Sequence, residues 1–313
     1  MFENLFAQRG LSLDRLKAFL ETAEAGGITR AVGSDPVKQS QYSRQISELE
    51  SFFGTRLMQR RGRRLELTIT GRELATVVRA HFRGLESFQQ SLANKPVEMS
   101  LGAGDSILTW LIIPSLPCLR KRFPNLMIRL FNLRSTAVVE RLAEFQLDLG
   151  VVRPEILSES LGHQSLGKVG YRLYVASALM AGRMTALSYE DILKNVPLVT
   201  LGSDGEFMRR LRQAADKHKM GLQISLVTES FPQAARAVCT GHYAGILPVY
   251  AATELEGQGV VSLDHPMLRA VDRRLVLAWN PKLDRLRFDM EEFRKALVEE
   301  LAASLGKRKN SKE

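Results

Sequence analysis

Between Gln39 and Arg64 the chain sets a stripe of amide, hydroxyl and guanidinium donors beside a dense run of arginines. Gln39, Ser40, Ser43 and Arg44 share one helical face, because Tyr42, Ile46, Leu49 and Phe53 recur at the spacing of a buried stripe and turn the polar stripe outward. Gln pairs well with adenine and Arg with guanine in a major groove. Beyond Gly54, Arg56 to Arg60 and Leu65 to Thr68 read as two short strands around a tip of Arg60, Arg61, Gly62, Arg63 and Arg64, with Leu65 and Leu67 alternating as in a half-buried strand. No acidic residue interrupts the arginines from Arg56 to Arg64, so this tip should lie on phosphate or reach into a minor groove.

These residues need a scaffold. Ser12 is suited to cap a helix whose Leu13, Leu16, Phe19, Leu20 and Ala23 face inward and which Gly26-Gly27 ends. A short helix starts at Thr29, and Asp35-Pro36 forms a natural cap and first turn for the polar helix. Thr70-Gly71-Arg72-Glu73 has the form of a capping box for a long helix to about Leu92. Along it Leu74, Val78, His81, Leu85, Phe88 and Leu92 alternate by four and three, a heptad seam that predicts a homodimer; packing against the chain's own domains is the alternative.

Composition bounds the rest. A 313-residue chain exceeds one core's usual reach, so two or three compact units are expected. The net charge of +10 favours a polyanionic partner. No apolar run approaches the roughly eighteen residues of a membrane span, and Met1 to Gly10 lacks a secretion signal, so a cytoplasmic location and no membrane partner are expected. Cys118 and Cys239 stand far apart, which argues against a disulfide framework and structural zinc; no cofactor or metal is expected. The basic tail from Lys307 to Glu313 reads as a solvated end.

After Ala93-Asn94-Lys95-Pro96 the texture becomes an alternation of strands and helices. Strands are expected at Val97 to Ala103, Leu126 to Phe131, Leu147 to Val152, Tyr171 to Ala176, Pro197 to Leu201, Leu222 to Glu229, Gly245 to Pro248 and Arg274 to Trp279. Helices are expected between most of them, at Pro114 to Arg122, Ser135 to Phe145, Gly205 to Lys219 and Phe231 to Thr240. This implies mainly parallel sheets covered by helices, with a break near Gly162 to Gly170 dividing two lobes. Gly162 to Lys168 matches a phosphate-loop spacing but lacks the following Ser/Thr and runs into a strand, and Gly102 with Gly104 lacks the third glycine of a dinucleotide fingerprint. No nucleophile elbow, paired histidines or metal-ligand cluster is seen, so an enzyme is not expected.

The motifs together resemble those of LysR-type transcriptional regulators. The likeness lies in Leu13-x-x-Leu16-x-x-Phe19, Ile28-Thr29-Arg30-Ala31, Gln39-x-x-x-Ser43-Arg44-Gln45-Ile46-x-x-Leu49-Glu50, Phe53-Gly54-x-x-Leu57 and Leu67-Thr68-x-x-Gly71. It continues in Phe123-Pro124, Leu147 to Arg153 and Gly245 to Pro248, across nearly the whole chain. Where the family usually has Ser-Gln-Pro-Ala, this chain has Lys38-Gln39-Ser40-Gln41, consistent with a helix starting at Asp35-Pro36. The resemblance implies an α/β chain with an N-terminal winged helix-turn-helix (11–70), a long linker and dimerisation helix (71–93) and a two-lobed effector domain similar to type II periplasmic binding proteins (97–305). Its lobe one would comprise 97–167 and 272–305, and its lobe two 168–271. The implied function is sequence-specific regulation as a homodimer or homotetramer on double-stranded operator DNA, under a small-molecule effector.

Ligands of open parallel sheets sit at the carboxyl ends of strands. That places candidate effector contacts at Gly104, Asp105, Ser106, Arg134, Ser135, Arg153, Thr200, Gly202, Ser203, Thr228 and Glu229. The arginines and hydroxyls favour a small carboxylate or other anion. The alternative is a cleft closed by structural salt bridges, with Arg153 or Arg134 pairing with Asp105 or Glu229. Two further readings stay open: a constitutive DNA-binding regulator without ligand, and a solute-binding protein or enzyme with an incidental helix-turn-helix.

Overall fold

A computed structural model describes residues 3–7, 9–62, 64–92, 97–180, 188–202, 205–284 and 290–307. The chain divides into two compact units, the first made largely by Met1–Asn94 and the second by Lys95–Leu142, Leu147–Pro281 and Asp289–Glu313. The tail beyond residue 307 and the hinge at 93–96 lie outside the described residues.

The first unit opens with a helix over Leu13–Ala25, where the Ser12 hydroxyl accepts from the Arg15 N–H as expected of a cap. Phe19 and Leu20 are buried, whereas Leu13, expected inside, is 61% exposed: it occupies the first helical position and projects past the end of the core. A short helix, Ile28–Val32, leads to the polar helix Pro36–Phe53. Asp35 caps it, its carboxylate accepting from the N–H groups of Val37 (3.0 Å) and Lys38 (3.3 Å). The start is therefore at Asp35-Pro36. Ile46 and Leu49 pack with Phe19, Leu20, Leu57, Met58, Ala75 and Val78. Phe53, expected in this stripe, is 38% exposed, because the last turn overruns the core; it meets Phe52 edge to face instead.

Strands β1 (Met58–Arg61) and β2 (Arg64–Leu67) form an antiparallel hairpin, shorter at its start than the sequence suggests. The long helix runs Ile69–Leu92, and its cap is Thr68, not Thr70: the Thr68 hydroxyl accepts from the Gly71 N–H at 3.0 Å. Thr70 is consequently inside the helix, and the expected capping box does not form there. Leu74 and Val78 join the core, while Val77, Leu85 and Phe88 are each 53% exposed and His81 is exposed too. The seam thus changes character along its length, from positions within the unit's own core to exposed ones. The Leu92 side chain lies outside the described ones.

The second unit holds two five-stranded sheets. One has the order β4-β3-β5-β12-β6, from β3 (Val97–Ala103), β4 (Leu126–Asn132), β5 (Leu149–Val152), β6 (Gly162–Val169) and β12 (Arg273–Trp279). The other has the order β11-β7-β10-β8-β9, from β7 (Tyr171–Ala176), β8 (Leu198–Leu201), β9 (Ile224–Thr228), β10 (Ala244–Pro248) and β11 (Val260–Leu263). The chain passes between sheets twice, at Gly170 and before Arg273. Each sheet has a parallel half and an antiparallel half, which corrects the expectation of mainly parallel sheets. The strands on either side of the crossings run against their neighbours, since a chain that changes sheet arrives from the opposite end. For the same reason Gly162 to Val169, expected as a break, is a strand paired with β12. A buried polar knot secures the first sheet: the Asp148 carboxylate accepts from the Ser100 N–H (2.7 Å) and hydroxyl (2.6 Å), fastening β3 to the approach of β5.

Gly71 has a packing reason to be glycine, because a Cβ there would lie 2.0 Å from the Leu57 carbonyl oxygen. Gly71→Ala must push the long helix off the strand approach and should cost the first unit about 1–3 kcal/mol, as overpacking typically does. Hydrogen exchange in urea checks this: the amides of Phe19, Leu49 and Val78 should open earlier, while those of Leu101 and Leu149 keep their wild-type protection.

Candidate DNA-contacting face and effector site

The polar helix presents Ser40, Ser43 and Arg44 to solvent, with Arg44 81% exposed. Its Nε lies 3.2 Å from Glu48, which also pairs with Arg15, a solvated arrangement that a base edge or phosphate can outcompete. Gln39 is half-buried, and its amide nitrogen donates to the Gly33 carbonyl at 2.6 Å, so it braces the turn as well as flanking the face. Lys38 is exposed beside it, a contact candidate that the capping assignment could have exposed from sequence. On the inner side Tyr42 donates to Glu21, and this bond to a carboxylate pushes the phenol up to about 12.

Arg60, Arg61 and Arg64 are exposed on the hairpin, where Arg61 faces Arg64 across the ladder. Gly62, at φ 62°, supplies the left-handed backbone of the tip. Arg63 lies outside the described residues. Arg61 has a loose pair with Glu66 at 3.7 Å. What sets the hairpin against the helix is Glu50, whose side chain is almost fully buried. One carboxylate oxygen accepts from the N–H groups of Leu57 (2.9 Å) and Met58 (3.2 Å), the other from Arg56 at 2.8 Å.

In the second unit Gly104 caps a short helix, Asp105–Ile107, that continues into a π-helical turn at Leu108–Ile112. Asp105 is half-buried and receives a long contact from Thr109 (3.4 Å). Ser106 is buried, its hydroxyl 3.4 Å from that of Tyr250. Arg134 is exposed and Ser135 begins the next helix. Arg153, after β5, pairs with Glu206 at 3.2 Å, so the salt bridge foreseen for it exists with a different partner. Glu206 also binds Arg210 (2.8 Å) and Arg209 (3.1 Å). Thr200 donates to the Met208 sulfur and Thr228 to backbone carbonyls, so both hydroxyl protons serve the fold. Gly202 is half-buried, Ser203 lies outside the described residues, and Glu229 is exposed.

Three residues that the sequence reading did not single out complete the picture. Arg273, first in β12, donates from Nη2 to the Tyr250 hydroxyl at 2.6 Å, and its guanidinium sits 5.9 Å over the Tyr171 ring. Its Nε is buried with no hydrogen-bond acceptor among the described residues. Burial raises the Tyr171 hydroxyl above its ordinary value, so that group stays neutral. Ser106 and Tyr250 are 144 residues apart, a separation that no local spacing rule reaches.

A winged helix-turn-helix is followed by an α/β unit built on two five-stranded sheets, an architecture of two modules. The match to known families agrees: residues 13–72 fit the bacterial regulatory helix-turn-helix protein model of the lysR family, and residues 97–302 fit the LysR substrate binding domain. The chain belongs to the LysR family. It is 30% identical to the HTH-type transcriptional regulator TtuA of Agrobacterium vitis over 46% of this chain and 49% of that protein, about half its length. It is 26% identical to the nitrogen assimilation regulatory protein nac of Klebsiella aerogenes over 79% of this chain and 81% of that one. Similar solved folds include a full-length OxyR variant of Pseudomonas aeruginosa (TM-score 0.65, 16% identity, 94% of this chain and 95% of that one). Another is the full-length LysG of Corynebacterium glutamicum with bound effector Arg (TM-score 0.65, 16% identity, 94% and 98%).

Burial works against ionised Glu206, yet its pairing with Arg153 and Arg210 holds the carboxyl below its ordinary value of 4.5. A depressed carboxyl contributes stability above its unfolded value and loses it as pH falls through its folded value. Thermal melts should therefore find Glu206→Gln less stable than wild type at pH 7, by a margin constant down to about 4.5 that closes on further acidification. A margin that grew below that point would contradict the ion-pair account.

Proposed function

We propose that this chain is a sequence-specific DNA-binding transcriptional regulator whose second unit receives a small anionic effector. The observation that carries the reading is the joint exposure of Ser40, Ser43 and Arg44 with Arg60, Arg61 and Arg64, on a helix and hairpin joined by Glu50. Family membership supports it, as do relatives named as transcriptional regulators. The reading assigns 11–70 to DNA, 71–93 to pairing and 97–305 to effector sensing, with lobes at 97–167 plus 272–305 and at 168–271.

Two copies would pair through the exposed stretch of the long helix at Val77, Leu85 and Phe88, giving a homodimer or, by further association, a homotetramer. Two heads would then enter major grooves about 34 Å, or a multiple of it, apart. The protein acts in the cytoplasm in this reading, and no helix among the described residues is long and apolar enough to cross a membrane. It regulates and does not catalyse. A broad library of acidic, basic and neutral metabolites, screened by thermal shift, tests the effector role, since any ligand of the native state must stabilise it.

Duplex binding tests the head. Arg44→Ala should lower discrimination between operator and random DNA by about 1–3 kcal/mol. Arg64→Ala should weaken all duplexes alike and flatten the salt dependence by about one unit of slope. An unchanged ratio of specific to non-specific affinity in Arg44→Ala would remove the helix assignment.

Pairing is checked separately by light scattering. Leu85→Asp places a charge in the exposed seam and should shift the protein to monomers whose far-ultraviolet circular dichroism matches wild type and whose melting temperature no longer rises with protein concentration. A variant that stayed dimeric would move the interface elsewhere.

A further inference from the structure

We infer that Arg273, with the hydroxyls of Tyr250 and Ser106, is the receptor for a single carboxylate, and that the effector is a monoanionic acid with an apolar, ring-compatible body. The inference rests on the effector-sensing reading of the second unit and names its ligand class.

An anion receptor needs a cation that no acid already holds. The arginines expected to meet an anion do not supply one at this place: Arg153 is bound to Glu206, and Arg134 is out in solvent. The acids in this stretch are equally committed, with Asp272 held by Lys168 at 2.8 Å and Glu206 shared among Arg153, Arg209 and Arg210. Arg273 has a hydroxyl and an aromatic face as its neighbours, and a buried Nε without an acceptor. A half-buried guanidinium whose Nε is out of reach of water, with no counter-charge among the described residues, is a standing cost to the fold. A planar carboxylate satisfies it, offering two oxygens to the N–H groups of one fork.

Tyr250 accepts from Arg273 and lies at a long 3.4 Å from Ser106, so hydroxyl protons from two segments adjoin the guanidinium of a third. These are donors for oxygen ligands, and each comes from a different strand end or crossing. Tyr171 lies beneath the guanidinium and stacks on Phe207 (5.0 Å), with Phe231 at 5.7 Å, while Trp110 lies 5.8 Å from Tyr250. One uncompensated cation among aromatic rings suits one negative charge on an apolar frame, and a dianion would leave a charge unmatched.

The test uses full-length protein at pH 7 with propionate, hexanoate and benzoate as probes, their neutral amides as controls, and succinate as the dianion. Thermal shift and calorimetry should show at least one monocarboxylate stabilising the wild type, with its amide and succinate ineffective. Arg273→Gln should bind that acid roughly 10- to 100-fold more weakly, the effect of losing a charge-assisted hydrogen bond. Without probe it should melt no lower than wild type, since it removes a half-buried charge that no acid among the described residues matches, while its amide can still donate to Tyr250. Tyr250→Phe, which keeps the cation, should weaken binding several-fold, and Arg134→Ala should leave it unchanged. Equal binding by wild type and Arg273→Gln would overturn the receptor and leave the effector reading standing. So would stabilisation by both acid and amide. If Arg273→Gln fails to fold, wild-type binding by Tyr250→Phe overturns the assignment. Absence of any wild-type response to the monocarboxylates overturns the ligand class, while the broad library decides separately whether the unit senses anything.

Discussion

The carboxylate of Glu50 is the contact on which the first unit's geometry depends. A helix and a two-stranded hairpin have no intrinsic relative orientation, and the hairpin is too small to be stable alone. Glu50 supplies what is missing by taking two consecutive backbone N–H groups where β1 begins, together with Arg56. The exposed arginines of the hairpin are thereby held at a set distance from Ser43 and Arg44. Gly71 completes the clamp from the other side, admitting the Leu57 carbonyl to a spot that any side chain would occupy.

The second unit solves a similar problem by similar means. Asp148 accepts from Ser100 at the centre of the first sheet, and so registers the strand that leads to Gly104 and Ser106 with the strand that leads to Arg153. Ion pairs and a hydrogen bond to an acid then tie the segments: Arg153 to Glu206 and the Trp110 indole N–H to Glu254 at 2.6 Å link elements that follow strands of different sheets, and Lys168 to Asp272 joins β6 to the approach of β12 within one sheet. Each pairs a donor with an acid. Arg273 breaks that pattern, and the exception is what singles it out chemically.

Much of this was legible in the chain. The stripe of Ile46 and Leu49, the Asp35-Pro36 start, the Ser12 cap and the Gly62 turn are local features, and local physics decided them. Strands at Val97–Ala103 and Tyr171–Ala176 fall where apolar runs place them. The readings that needed revision share a cause. Leu13 and Phe53 have core-like positions in a periodic pattern, but the core ends before they reach it. Thr68 outcompetes Thr70 as the cap because its hydroxyl also bonds back to the Arg56 carbonyl at 2.8 Å, a contact with another segment. The strand at Gly162–Val169 has glycines at both ends of a polar run and is a strand only because β12 lies beside it.

The sequence by itself determined the family, the order of its modules, the outward face of the polar helix and the basic hairpin, since these depend on residues within a few turns of one another. Tertiary structure decided which charges are spent and which remain. Arg153 lies between Val152 and Pro154 and Arg273 between Asp272 and Arg274, and neither set of sequence neighbours names the group its guanidinium will meet. One meets a glutamate and the other a tyrosine hydroxyl 23 residues away, and only the path of the chain between two sheets makes that difference.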